Sequence, residues 1–182
     1  FSETDSETPG GAVGITGAAV QVTDVNDLAL GETTATGAYT VTAGGGITNS
    51  GRLTIAGEAK FAAGNGETII LDQMSSSLPV HRFSDTISFC ATSCTTQSGN
   101  LAGVTVYTVG PIELGALTLV ANGALLGNLS IQAGGVTQKA NTALVIPGTT
   151  TVSASGTNVD LSYASNDFGG AVSITGHAVT LV

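Results

Sequence analysis

The chain has no tryptophan, one methionine, four prolines and only four basic residues among its 182. Each scarcity closes off a class of function. Arg52, Lys60, Arg82 and Lys139 stand against 13 acidic residues, a formal charge of −9, so the basic footprint that nucleic acid demands is missing. An anionic membrane surface is an equally poor partner. No apolar run reaches the length of a membrane span. The longest uncharged stretch, from Leu114 to just before Lys139, is broken by Gly, Asn, Ser, Thr and Gln. The opening Phe1-Ser-Glu-Thr-Asp-Ser-Glu lacks the basic and apolar regions of a signal peptide, and the missing initiator Met points to a processed chain or an excised segment. Helix signals are equally scarce: no window combines apolar residues at i, i+3, i+4 and i+7 with caps and strong helix formers.

Glycine is abundant, with 26 residues, alongside many Thr, Val, Ala, Ile and Leu. So much glycine accompanies disorder when branched apolar residues are few, but 42% hydrophobic content and a mean hydropathy of +0.36 call for a folded chain. Gly10 to Val22 (GGAVGITGAAVQV) returns as Gly169 to Leu181 (GGAVSITGHAVTL), 159 positions later, with 9 of 13 identities. A finer repeat of about 90 residues lies inside it: Tyr39 to Thr48 matches Leu129 to Thr137, Leu53 to Gly57 matches Leu144 to Gly148, and Ile69 to Leu71 matches Val159 to Leu161. Fixed-period repetition marks units that cannot bury their apolar face alone and must stack on a neighbour.

Short alternating pairs recur throughout: Val20/Val22, Leu28/Leu30, Tyr39/Val41, Leu53/Ile55, Ala59/Phe61 and Ile69/Leu71. They read as brief strands punctuated by Gly, Asn, Thr and Ser. Successive units start about 20 residues apart, from Val20 to Tyr39 to Ala59. Short strands, small or branched apolar residues and glycine corners together predict an all-β, parallel β-helix rather than a sandwich or barrel. The whole chain, 1–182, is expected to be a single solenoid segment, one repeat of about 159 residues plus the start of the next.

Residues 73–100 interrupt the pattern with the only Met, a Pro, a His, an Arg and both cysteines, and are expected to form an inserted loop projecting from one rung. Within it, His81, Arg82 and Asp85 are candidate contact residues, with a structural flap as the alternative. Cys90 and Cys94, four positions apart, lack partners for a structural zinc site and have the wrong spacing for a CxxC redox pair. A small disulfide loop formed in an oxidising compartment is the expectation, with two buried free thiols as the alternative. No metal or cofactor is expected.

Catalytic residues are not expected either. The acids are scattered, and the densest group, Asp24, Asn26 and Asp27, fits the turn chemistry of a corner. Gly44-Gly45-Gly46 lacks the Gly-Lys-Ser/Thr ending of a phosphate loop. Asn128-Leu129-Ser130 fits a glycosylation sequon, a tripeptide common by chance.

The segments Asn166 to Gly176, Ala19 to Gly31 and Tyr39 to Gly51 resemble the repeats of large bacterial exoproteins of the filamentous haemagglutinin type. The resemblance covers most of the chain outside 73–100. It implies a right-handed parallel β-helix, a very long secreted or cell-surface fibre, and roles in adhesion, aggregation or biofilm. It carries over no catalytic residue. Two readings stay open: a stalk repeat within a much larger adhesin, or a free subunit that stacks end to end into an extracellular filament, the unpaired groups of its open ends being satisfied by another copy. The expected partners are neighbouring repeats or further copies, and a host or matrix glycan or protein.

Overall fold

The computed structural model describes residues 2–3, 11–72, 81–94, 100–154 and 156–182, which form short strands and no helix. Every strand pair is parallel, and the strands stack into a β-solenoid of about seven turns. The all-β parallel solenoid expected from the alternation is therefore the fold.

Two long sheets run the length of the stack. Sheet I holds nine strands: Ser2–Glu3, Val20–Asp24, Tyr39–Ala43, Ala59–Ala63, Thr86–Ala91, Pro111–Leu114, Gly135–Gln138, Val159–Leu161 and Val179–Leu181. Sheet II holds seven, from Leu28–Leu30 through Ile47–Asn49, Thr68–Leu71, Gly103–Tyr107, Asn128–Ala133 and Thr150–Ala154 to Val172–Thr175. The 20-residue rhythm is a true coil length: Val20 pairs with Tyr39, and Tyr39 with Ala59. Coils then lengthen, with Ala59 opposite Ile87 and Ile87 opposite Leu114, before Val159 pairs with Val179 at the far end.

Two shorter sheets complete the coils, and they do not lie on the same edge. Sheet III contains Thr16–Gly17, Thr33–Ala35, Leu53–Ile55 and Arg82–Phe83, while sheet IV contains Leu117–Thr118, Leu144–Ile146 and Asp167–Phe168. Early in the chain the path runs I to II to III and back to I. After Gly103–Tyr107 it runs II to I to IV and back to II. The third face has thus moved from the edge where II returns to I to the opposite edge. Strand length moves with it, since the five-residue strands sit in sheet I early (Val20–Asp24, Tyr39–Ala43) and in sheet II later (Gly103–Tyr107, Thr150–Ala154).

Alternation supplies the core. Inward columns such as Leu28–Ile47–Ile69–Val104–Leu129 and Val22–Val41–Phe61–Phe89 follow the ladder register, and all of these residues are buried. Aromatics gather in the middle coils: Phe61 stacks on Phe89 with centroids 5.8 Å apart and meets Tyr39 and Phe83 edge-on at 5.8 and 6.1 Å. Burial pushes the Tyr39 phenol up to about 12.

Corners explain the glycine content. A Cβ on Gly44 would sit 2.1 Å from the Val25 carbonyl oxygen one coil below, and one on Gly64 would sit 2.1 Å from that of Gly44. Stacked corners this close leave room for hydrogen only.

Of the stretch expected as an inserted loop, residues 81–94 instead continue the solenoid: Arg82–Phe83 pairs with Leu53–Ile55, and Thr86–Ala91 pairs in register with Ala59–Ala63. Residues 73–80 and 95–99 lie outside the described residues. The stretch looked irregular because its Cys, His and Arg masked an ordinary alternation of inward Phe83, Ile87, Phe89 and Ala91.

Candidate functional site

The switch of edges leaves a step in the side of the solenoid. Sheet III ends at Arg82–Phe83, and among the described residues only an isolated bridge from His81 to Thr108 continues it. Beyond Phe83 the edge of sheet I is open as a groove of about 330 Å³ lined by Phe83, Ser84, Asp85, Thr86, Pro111, Ile112, Glu113 and Thr137. Phe83, Thr86 and Ile112 form a buried floor, and Ser84, Asp85, Pro111 and Thr137 form the exposed rim.

One threonine ties the two acids together. The Thr86 N–H donates to Asp85 Oδ1 at 2.7 Å, and the Thr86 hydroxyl donates to the Glu113 carboxylate one coil above. The groove presents two carboxylates and three hydroxyls beside the apolar Phe83 and Ile112, and no basic residue lines it. Among the described residues no group of three or more His, Cys, Asp or Glu side chains is placed to hold a metal ion.

The three candidate contact residues are separated by burial. Arg82 and Asp85 are exposed, and Asp85 joins the groove. His81 is only 2% exposed. Its Nδ1 accepts the Leu53 N–H at 2.9 Å, and the Thr108 hydroxyl donates to its carbonyl at 2.6 Å. An accepting Nδ1 must be unprotonated, and burial lowers the His81 pKa to about 4, with the Asp72 charge acting weakly upward. Asn166 does the same work in the later coils: its Oδ1 accepts the Leu144 N–H at 2.9 Å while its amide exchanges 2.8 Å bonds with Gln138. Since Leu53 and Leu144 head matching strands, His81 is a corner acceptor of the same kind as Asn166.

Cys90 and Cys94 form a disulfide, with Cα atoms 5.2 Å apart. Cys90 is buried near the end of Thr86–Ala91 and Cys94 lies just beyond it, so the bond clasps the exit of that strand. Asp24, Asn26 and Asp27 serve corners: the Asn26 N–H donates to Asp24 Oδ1 at 2.8 Å, and the Gly46 N–H donates to Asp27 Oδ1 at 2.7 Å. Two of the basic residues are also occupied, Arg52 with Glu32 at 3.2 Å and Lys60 with Glu58 at 2.8 Å. Such half-exposed pairs contribute little.

Thr86, Pro111, Glu113 and Thr137 were not singled out by sequence, because the groove arises only where two coil patterns meet out of phase. The one available signal was Phe83, whose counterpart Phe168 also precedes a strand of a main sheet. The Phe83-to-Phe168 spacing has a parallel in the comparisons with known proteins. No curated protein and no solved structure matches the chain. Residues 17–89 and 102–175 each match one family, and the gap between the two matches falls between the last strand of sheet III and the first strand of sheet IV. With two such units covering most of its length, the chain belongs to the family described as "Repeats of unknown function (DUF5649)".

Proposed function

We propose that this chain is a non-catalytic stalk module of a large fibrous bacterial exoprotein of the filamentous haemagglutinin type, displayed at the cell surface or secreted, where it gives rigid reach for adhesion, aggregation or biofilm. The observation that carries the reading is the union of two family repeats in a single parallel solenoid with unbroken main sheets, an architecture whose stiffness lies along its axis. The Cys90–Cys94 disulfide supports an oxidising compartment. The acidic, cation-poor surface supports contact with neighbouring repeats and with a glycan or protein of the host or matrix rather than with nucleic acid. In this reading the protein needs no cofactor.

A free subunit that stacks into a filament is the second reading: the matched sequences at Gly10 to Val22 and Gly169 to Leu181 favour covalent tandem copies but would also give a polymer matching ends. Against it, Ser2–Glu3 already pairs with Thr23 and Asp24 on the first edge of sheet I. Intact mass of the polypeptide from its native source, reduced and denatured, combined with surface proteolysis of whole cells, tests both. A mass far above 17.8 kDa with protease-accessible epitopes is the expected result. A mass near 17.8 kDa turns the case to the filament subunit, and an internal, protease-protected protein overturns the exoprotein reading.

A further inference from the structure

Sheet III stops in mid-stack, and its last strand leaves an edge open. Arg82–Phe83 pairs below with Leu53–Ile55, and among the described residues no strand is paired above it. The Ser84 N–H donates downward to the Ile55 C=O. Because the peptide between Phe83 and Ser84 is trans, the Phe83 C=O points the opposite way, and alternation along a parallel ladder sends the Phe83 N–H with it. Both groups face the groove. An unpaired strand edge is a template for another strand.

The upper wall of the groove is unpaired as well. Pro111 and Ile112 pair above with Gly135 and Val136, but pairing with the coil below begins only at Glu113, opposite Thr86. Pro111 has no N–H to offer. The two coils thus part between 83–85 and 111–112, and the lower wall carries the backbone donor. The other strands of sheet III are two or three residues long, a length of about 7–10 Å at the usual rise. A groove of about 330 Å³ takes a segment of that size, not a folded domain.

Side chains specify what enters. Ala35, Ile55 and Phe83 form the inward column of sheet III, so the place above Phe83 continues the core and calls for an apolar side chain. Beyond Phe83 the slot turns acidic. Thr86 occupies one oxygen of Asp85 through its N–H and one of Glu113 through its hydroxyl, and the second oxygen of each carboxylate has no donor among the described residues. Arg82 stands outward in the column of Thr34 and Thr54 and does not line the groove.

We infer that this step is a docking slot for an extended, basic peptide segment of a partner protein. The segment adds to sheet III as a fifth strand, sets an apolar side chain on Phe83 and turns a lysine or arginine to Asp85 and Glu113. Charge complementarity selects the occupant: two carboxylates and no lining cation, on a chain of net charge −9, favour a cationic partner. The open edge at Phe83 calls for a peptide backbone rather than a saccharide, and among the described residues no third acidic, His or Cys side chain completes a metal site. The slot goes beyond the stalk reading and does not depend on secretion.

The test titrates the purified, isotopically labelled chain with a pool of capped pentapeptides carrying Val or Ile at alternate positions and Lys or Arg between them, read by NMR. Amide shifts should centre on Phe83, Ser84, Asp85, Thr86 and Glu113, and exchange of the Phe83 amide should slow at least about tenfold. The same pool with Glu in place of Lys and Arg, or N-methylated at every amide, should bind at least about tenfold more weakly. Asp85→Asn combined with Glu113→Gln, which keeps acceptors for Thr86, should weaken the basic pool to the same degree. No shift with the basic pool, or equal binding by the Glu or N-methylated pool, overturns the inference. An equal response of the same amides to cellohexaose or to calcium chloride also overturns it, in favour of a saccharide or cation site. An intracellular location would sink the exoprotein reading and leave this result untouched.

Discussion

The two repeats carry the same order of long, medium and short strands on different faces of the same stack. In residues 17–89 the long strands belong to sheet I and the third face returns II to I, whereas in 102–175 they belong to sheet II and the third face lies on the other edge. The sequence therefore encodes the role of a strand in its coil, and the face it occupies depends on where the previous repeat stopped. Repeat one ends on a long strand, Thr86–Ala91, and repeat two begins on one, Gly103–Tyr107. Two long strands in succession shift the phase. Corner chemistry is equally transferable: a histidine in one repeat and an asparagine in the other accept the amide of the leucine that opens the third face.

The comparison can be broken first by charge. Ile55 and Ile146 are matching, fully buried residues of sheets III and IV, so Ile55→Asp and Ile146→Asp should each cost about 4 kcal/mol or more. Urea melts of the two variants should show similar losses. A large loss from only one would mean that the third faces are not equivalent.

Acid separates the repeats next. The His81 pKa is about 4 when folded against 6.5 when exposed, so the unfolded chain binds the extra proton between these values. The stability that neutral His81 contributes is complete above pH 6.5 and is lost as pH falls toward 4, a difference of about 3 kcal/mol. Asn166 does not titrate. Hydrogen exchange at Leu53 should thus accelerate over that range, after correction for intrinsic rates, while Leu144 stays protected. Parallel behaviour of the two amides would remove histidine protonation as the cause.

Reduction should affect one repeat boundary only. Opening the short Cys90–Cys94 loop should cost about 2 kcal/mol on the chain-entropy account, lowering the melting temperature by a few degrees. Collapse of the entire solenoid would show that the bond organises more than its own strand. The smallest effect belongs to exchange of the corner acceptors: His81→Asn should change stability by about 1 kcal/mol or less, because asparagine already makes that bond in repeat two. A loss as large as that of His81→Ala, followed by the same melts, would deny the equivalence of the two corners.

Much of the fold was legible because a solenoid writes its register locally. Val20, Tyr39 and Ala59 announce successive coils through alternation and spacing, and the structure pairs those residues directly. The phase shift was not legible, since each strand looks the same whichever sheet receives it. Residues 81–94 hide their register for a different reason: Cys, His and Arg side chains interrupt the alternation of the inward Phe83, Ile87 and Phe89. At the candidate site, Asp85 could be named from sequence, but Glu113 could not, because a 27-residue coil separates it from the Thr86 hydroxyl it accepts. His81 was visible as unusual and invisible as a counterpart of Asn166, since identity says nothing of a shared acceptor role.

The alternating third face also sets a distance scale. With strands about 4.8 Å apart, seven turns advance about 34 Å, and over that length the third face occupies first one edge of the rod and then the other. A tandem array built in this way is graduated like a ruler with two staggered scales, one along each edge. A lateral partner that grips a single edge would meet its site once per 159 residues of such an array, and one that spans both edges would be held to a fixed stagger along it.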